Sequence, residues 1–286
     1  STAPLLSDQS AVVREAYSAL VEYLDELLAG AAPQPVRLFP YYRALLELQR
    51  AERIHPSDLF TGELPAATLP AGEPSAPPDY AAYRARFEKS LLPYLRAPDA
   101  AARAAHAAEL RDAVALAAAA QHEPQARTFW AAMEAFAELV ASGQLDGSVY
   151  VKQLFGQVNL QMRRLVQGQP DLPAQVLRDA LFFIAGATNP SSRARELRAL
   201  FGIDALVPAD YEQKRYGRFD AAALAAARDA LAHAQSAWAA LSTDAAASEP
   251  QEQRFGAALE TLEQTIGALG IAPLAQLGSE LRRAAS

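Results

Sequence analysis

The sequence predicts an all-α protein of about ten helices arranged as consecutive bundles, with no sheet. Three observations predict it. Hydrophobic residues fill 51% of the 286 positions while aromatics fill only 8%, and the surplus is mostly alanine, the residue that costs least in a helix. Apolar residues recur at three- and four-residue spacing in segment after segment, and none shows the period-two alternation of a half-buried strand. β-Branched residues are sparse throughout.

Each element follows from its own pattern. Ser10 is placed to cap a first helix in which Val13, Tyr17, Leu20, Val21, Leu24 and Leu28 recur, ended by Gly30. Glu22, Asp25 and Glu26 occupy its opposite, solvated face. After AAPQP a second helix carries Leu38, Tyr42, Leu45, Leu46 and Leu48 as far as the Pro56-Ser57-Asp58 turn, and the two are expected to form a hairpin over residues 1–61. Residues 62–78 hold five prolines and two glycines with almost no apolar periodicity, the composition of a linker.

A bundle is expected over residues 79–189. Asp79 caps a helix bearing Tyr80, Tyr83, Phe87, Leu91 and Leu95, which Pro93 must kink or shorten. Pro98-Asp99 starts an alanine-dense helix. Glu123-Pro124 starts another, with Phe129, Trp130, Met133, Phe136 and Val140, ended by Gly143. The most regular packing unit is the pair from Val149 to Ala187: Val151, Leu154, Phe155, Val158, Met162 and Leu165 line one helix, and Val176, Leu177, Leu181 and Ile184 line the next, which Pro173 opens.

Residues 190–286 predict a second bundle. Ser191 or Ser192 caps a short basic helix closed by Gly202, and residues 203–218 read as a loop. Asp220 caps a long alanine-rich helix with Leu224, Leu231 and Trp238 at seven-residue spacing. Phe255, Leu259, Leu262, Ile266 and Leu269 line another, and Pro273 starts the last.

Composition excludes whole classes of chemistry. With no cysteine there is no disulfide, thiolate nucleophile, iron-sulfur cluster or Cys-type zinc site. A net charge of −7 opposes non-specific nucleic-acid binding, which needs cations to neutralise phosphates. No run is long and apolar enough for membrane insertion, and the N-terminus lacks a secretory pattern. With Ser1 in place of an initiating Met, these features predict an excised or processed, cytoplasmic chain.

No catalytic, cofactor-binding or metal-binding residues are predicted. The chain lacks G-x-G-x-x-G, G-x-x-x-x-G-K and G-x-S-x-G, so neither a phosphate-cradling loop nor a hydrolase elbow is present. A dimetal bundle site needs two Glu-x-x-His pairs; the single pair, Glu52 and His55, precedes Pro56 at a helix end and reads as a surface charge pair. A phosphoacceptor histidine requires a lysine one turn along the same face to offset the phosphoryl charge. None of the four histidines has one: His55 precedes a proline, His106 has Glu109 there, His122 precedes Glu123-Pro124, and His233 precedes Ala234-Gln235-Ser236.

Two basic groups are candidates for docking an acidic protein partner: Lys152 with Arg163 and Arg164, and Arg193 with Arg195 and Arg198. Their alternative role is pairing with nearby Asp179, Glu196 and Asp204. Tyr211, Tyr216 and Phe219 around Gly217 form an aromatic loop that either anchors a partner or plugs its own bundle.

The runs LRDALFFIA and RARELRALFGIDALVP, with LVEYLDELLAG, LFPYYRALLELQRAERIHPSDLF and RFEKSLLPYLR upstream, resemble the N-terminal region of chemotaxis-type sensor kinases controlling type IV pili, the ChpA/PilL class, and the related pilus scaffold family FimL. The resemblance spans about Val21 to Leu206. It implies a string of helical bundles related to histidine-phosphotransfer domains, some without the acceptor histidine. No His-x-x-Lys-Gly motif is present, so no acceptor carries over. The function implied is a non-catalytic scaffold of two-component signalling in twitching motility, with response regulators or pilus-regulatory and polar-localisation proteins as partners; a kinase core would lie elsewhere in a parent chain. Two rivals are an active phosphotransfer protein using His106, and a helical enzyme or ligand-binding protein with a dispersed buried site.

Overall fold

A computed structural model describes residues 7–60, 64–73, 77–216, 221–243, 249–269 and 272–285. Among them are eleven α-helices and no strand. The chain divides into two compact units, residues 33–213 and residues 1–32 with 214–286.

The larger unit holds α2 (Phe39–Leu48), α3 (Tyr80–Arg96), α4 (Ala100–Ala119), α5 (Pro124–Ala141), α6 (Val149–Val166), α7 (Ala174–Gly186) and α8 (Ser192–Phe201), with single 3-10 turns at Pro35–Leu38 and Pro56–Leu59. The expected caps form where a short polar side chain precedes a helix. Asp79 Oδ1 accepts from Ala82 N at 3.0 Å, Asp99 Oδ1 from Ala102 N at 2.8 Å, and Ser191 Oγ from Ala194 N at 3.3 Å. Gly202 closes α8 at φ 62°, a conformation that a side chain resists. Pro93 lies inside α3 and neither ends nor shortens it.

α3, α4 and α5 pack in succession, with α6 against α3 and with α7 and α8 against α5. α5 is buried on nearly every face, so it forms the axis of the unit. Phe155 of α6 lies at the centre, its ring centroid 4.9 Å from Phe136, 5.1 Å from Tyr94 and 6.1 Å from Phe87. Burying each such ring stabilises the fold by about 1.5–3 kcal/mol. Buried alanines on α4, among them Ala107, Ala113 and Ala117, keep the interhelical gap narrow enough for these rings to be enclosed.

The Pro-rich stretch behaves as a strap. Leu69 is buried and its N–H donates to Thr128 Oγ1 at 2.8 Å, Gly72 N donates to the His122 carbonyl at 2.8 Å, and Arg127 donates to the Pro70 carbonyl. Prolines lack an N–H, but the backbone donors between them find acceptors on the start of α5 and the turn before it, which fixes the segment. The chain after α8 also joins this unit. Ile203 and Val207 are buried in the same core as Phe201.

The smaller unit contains α1 (Ser7–Leu28), α9 (Ala221–Thr243), α10 (Glu249–Ala268) and α11 (Ala272–Ala285). α1 and α2, expected as a hairpin, thus fall in different units. α1 begins at Ser7, before the expected Ser10 cap, while the Asp220 cap falls outside the described residues. α1 is tied to residues 214–216. Lys214 Nζ lies 2.7 Å from Glu15 Oε1, the Tyr216 hydroxyl donates to Glu26 Oε2 at 2.6 Å, and the Tyr23 and Tyr216 rings meet edge-on at 6.1 Å. α10 packs on α9 and α11 through a small core of Ala230, Ala234, Leu259 and Leu262. A groove of about 730 Å³ stays open beside that core, walled by Leu231, Trp238, Phe255 and Leu281.

Candidate functional site

α6 presents a basic outer face. Ser148 Oγ accepts from Val151 N at 3.4 Å and starts the helix, whose buried stripe of Val151, Leu154, Phe155, Val158, Met162 and Leu165 fixes its rotation. At 3.6 residues per turn, Lys152, Gly156, Asn159 and Arg163 then fall in one line along the edge of that stripe, with Asn159 half-buried and its Oδ1 enclosed. A Cβ added at Gly156 would meet nothing within 4 Å, so the line has an open notch between its two cations. Arg163 is exposed and Lys152 half-buried. α6 contains no acidic residue, so on a chain of net charge −7 this face is a local exception. Its chemistry is that of an anion-facing surface: two long cations about 16 Å apart along the axis, with close backbone approach between them.

The other expected cations divide by environment. Arg164, next to Arg163 in sequence, points away from the line and pairs with Asp171. Arg198 is an internal cap: its Nε donates to the Ile184 carbonyl at 2.7 Å and its Nη2 to the carbonyls of Ala185, at 3.0 Å, and Ala187. These are the open carbonyls at the end of α7, where a cation is favoured by the helix dipole. Burial lowers the Arg198 pKa, opposed by Asp204. Arg193 bonds Glu196 at 3.2 Å and lies 3.8 Å from Glu134, whose carboxyl burial pushes up and Arg193 pulls back. Arg195 is exposed, with one bond to the Pro190 carbonyl at 3.2 Å.

The aromatic loop is divided between the two units. Tyr211 packs edge-on against Phe182 at 5.3 Å and donates to Glu212 at 3.0 Å, with its hydroxyl pKa raised by burial. Tyr216 is buried against α1 in the smaller unit. Both therefore plug their own unit, and Phe219 lies outside the described residues.

His55 is the largest departure from the sequence reading. It is 2% exposed rather than part of a surface pair. Its Nδ1 accepts from Ser57 N at 3.1 Å and so caps the 3-10 turn, while Ser57 Oγ donates to Asp179 Oδ1 at 2.5 Å. Arg53 Nη2, at 2.8 Å, and Gln175 Nε2, at 3.1 Å, complete the carboxylate's partners. Burial lowers the His55 pKa, partly opposed by Asp179, and its Nε2 has no polar partner among the rings of Tyr150, Phe182 and Phe183. A nucleophilic site needs its hydroxyl bonded to the base and reachable by substrate. Here Ser57 Oγ lies 2.8 Å from His55 Nδ1 and also donates to the carboxylate, but Ser57 is fully buried and out of reach of a substrate, so the cluster joins the 3-10 turn to α7. Its partners lie more than a hundred residues apart in sequence, and no local signal links them.

Among the described residues no group of three or more His, Cys, Asp or Glu side chains is placed to hold a metal ion, and no helix is long and apolar enough to cross a membrane. Glu109, one turn beyond His106, is held by Arg86 Nε at 2.9 Å. Residues 72–214 match the family model described as the second domain of the FimL scaffold protein. The match covers half of the chain, and it begins within the strap and ends where the larger unit ends. No curated protein and no solved structure matches the chain.

Proposed function

The chain belongs to the FimL scaffold protein family, and from that premise we propose that it is a non-catalytic, phosphotransfer-like platform in a cytoplasmic chemosensory pathway regulating type IV pili and twitching motility. It works by binding. Its partners are response regulators or pilus-regulatory and polar-localisation proteins, and the outer face of α6 receives an acidic surface of one of them.

The observation that carries this reading is the line Lys152, Gly156, Asn159 and Arg163 on a helix without acids. Two cations flanking a glycine let a partner's carboxylates be neutralised while its backbone comes close. The position where phosphoryl chemistry would need a cation holds Glu109, so His106 has carboxylate instead of lysine beside it. Incubation with a phosphorylated receiver domain is expected to leave no acid-labile phosphate on the chain. Phosphate that appears and is lost in His106→Ala would overturn the platform reading in favour of phosphotransfer.

A further inference from the structure

α1 carries two opposite faces with different fates. Ala19 and Tyr23 turn inward, and Glu15 and Glu26 on the same side hold Lys214 and Tyr216. On the other side Val13, Tyr17, Leu20, Leu24 and Leu28 form a continuous apolar stripe, each between 45% and 87% exposed. Scattered apolar residues at a surface are ordinary, but a helix-long stripe of large ones marks an interaction surface. Val13, Tyr17, Leu20 and Leu24 alternate by four and three, which is the seam of a helix pair.

The charges at the edge of the stripe identify the occupant. Arg14 and Asp25 flank it on the same side, one near each end. In an antiparallel pair, edges of the same side face each other. Stacking Val13 on Leu24 and Tyr17 on Leu20 of the second helix brings Arg14 of each copy within about two residues, some 3 Å along the axis, of Asp25 of the other. Asp25 Oδ2 is bonded to Arg228 at 3.1 Å, which leaves Oδ1 for this contact, and Arg14 is exposed with no partner among the described residues. The seam and the charges fit a second helix that runs opposite and has the same sequence.

We propose that the outer face of α1 pairs antiparallel with α1 of a second copy of this chain, making the scaffold a dimer. This surface is independent of the α6 face. One helix on each side buries less than the roughly 800 Å² per partner of a standard interface, the size of a weak, concentration-dependent contact.

Sedimentation equilibrium of the full chain from about 1 to 200 μM tests it. Mass is expected to rise towards twice the monomer, and Leu20→Glu, at a position 45% exposed, is expected to keep the helical circular-dichroism signal and stay monomeric. Arg14→Glu and Asp25→Arg should each weaken the dimer several-fold, and the double exchange should restore it. The chain has no cysteine, so single cysteines report orientation: Leu20→Cys should be captured as a dimer by a short bismaleimide, and Leu28→Cys, more than about 20 Å from its own copy, should not. A monomer at every concentration, equal capture at both positions, or a double exchange no better than the singles would overturn the proposal.

Discussion

The two units are built from the same helix-forming residues and differ in what those helices enclose. In residues 33–213 nearly every helix contributes an aromatic or a large aliphatic side chain to one continuous core, with Trp130, Phe136, Phe155 and Phe182 almost wholly buried. In residues 214–286 the buried positions of α9 are alanines, and Trp238 remains 56% exposed beside the open groove. Alanine lowers the cost of being helical but gives little area to bury. Helix content is therefore no guide to where stability resides. The family match covers the densely packed unit from residue 72 onwards and stops where that unit ends.

The largest expected effect sharpens that contrast. Phe155→Ala removes the ring on which three helices converge and should cost about 3–5 kcal/mol, whereas Trp238→Ala should cost less than about 1 kcal/mol. Denaturant unfolding followed by hydrogen exchange, resolved by segment, checks both: amides of α5 and α6 should exchange far more slowly than those of α9 and α10. Equal protection in the two units would break the comparison.

Next in size is the buried cluster. Asp179→Ala leaves Ser57, Gln175 and Arg53 without their shared acceptor and should cost about 2–3 kcal/mol, measured as a lowered denaturation midpoint. A smaller effect concerns pH. His55 has a folded pKa below its ordinary value of 6.5, so in that range the unfolded chain binds the proton more readily. The stability it contributes is complete above about pH 6.5 and is lost as pH falls towards the folded value. The slope of stability against pH from 7 to 5.5 should therefore be shallower in His55→Gln. Smallest is the strap, where Thr128→Val removes the acceptor for Leu69 N–H and should cost about 1 kcal/mol. Limited proteolysis near residue 69 should accelerate in that variant.

Much of this architecture was legible in the chain. Asp79, Asp99 and Ser191 fall at helix starts because short polar side chains can accept from the first-turn amides, and that is a local property. Partnership between helices is not local. α1 was expected against α2 because its leucines imply a buried face, yet those leucines form the exposed stripe, and Tyr23 on the other side meets Tyr216. Residues 62–78 lacked periodicity and so suggested a linker, because sequence pattern does not reveal that Thr128 and the His122 carbonyl stand ready for their amides. The basic candidates show the same division. Lys152 and Arg163 could be placed on one face from the period of the helix, and Gly156 between them by the same count. That Arg198 would instead cap α7 depends on a contact fourteen residues away.

Through the basic line of α6, this scaffold is proposed to bind an acidic partner. Isothermal titration of a response-regulator receiver domain into the wild-type chain and into Lys152→Glu/Arg163→Glu measures it directly. Binding should be salt-dependent in the wild type and at least about tenfold weaker in the variant, with helical content unchanged. Equal affinity in the two proteins would contradict it.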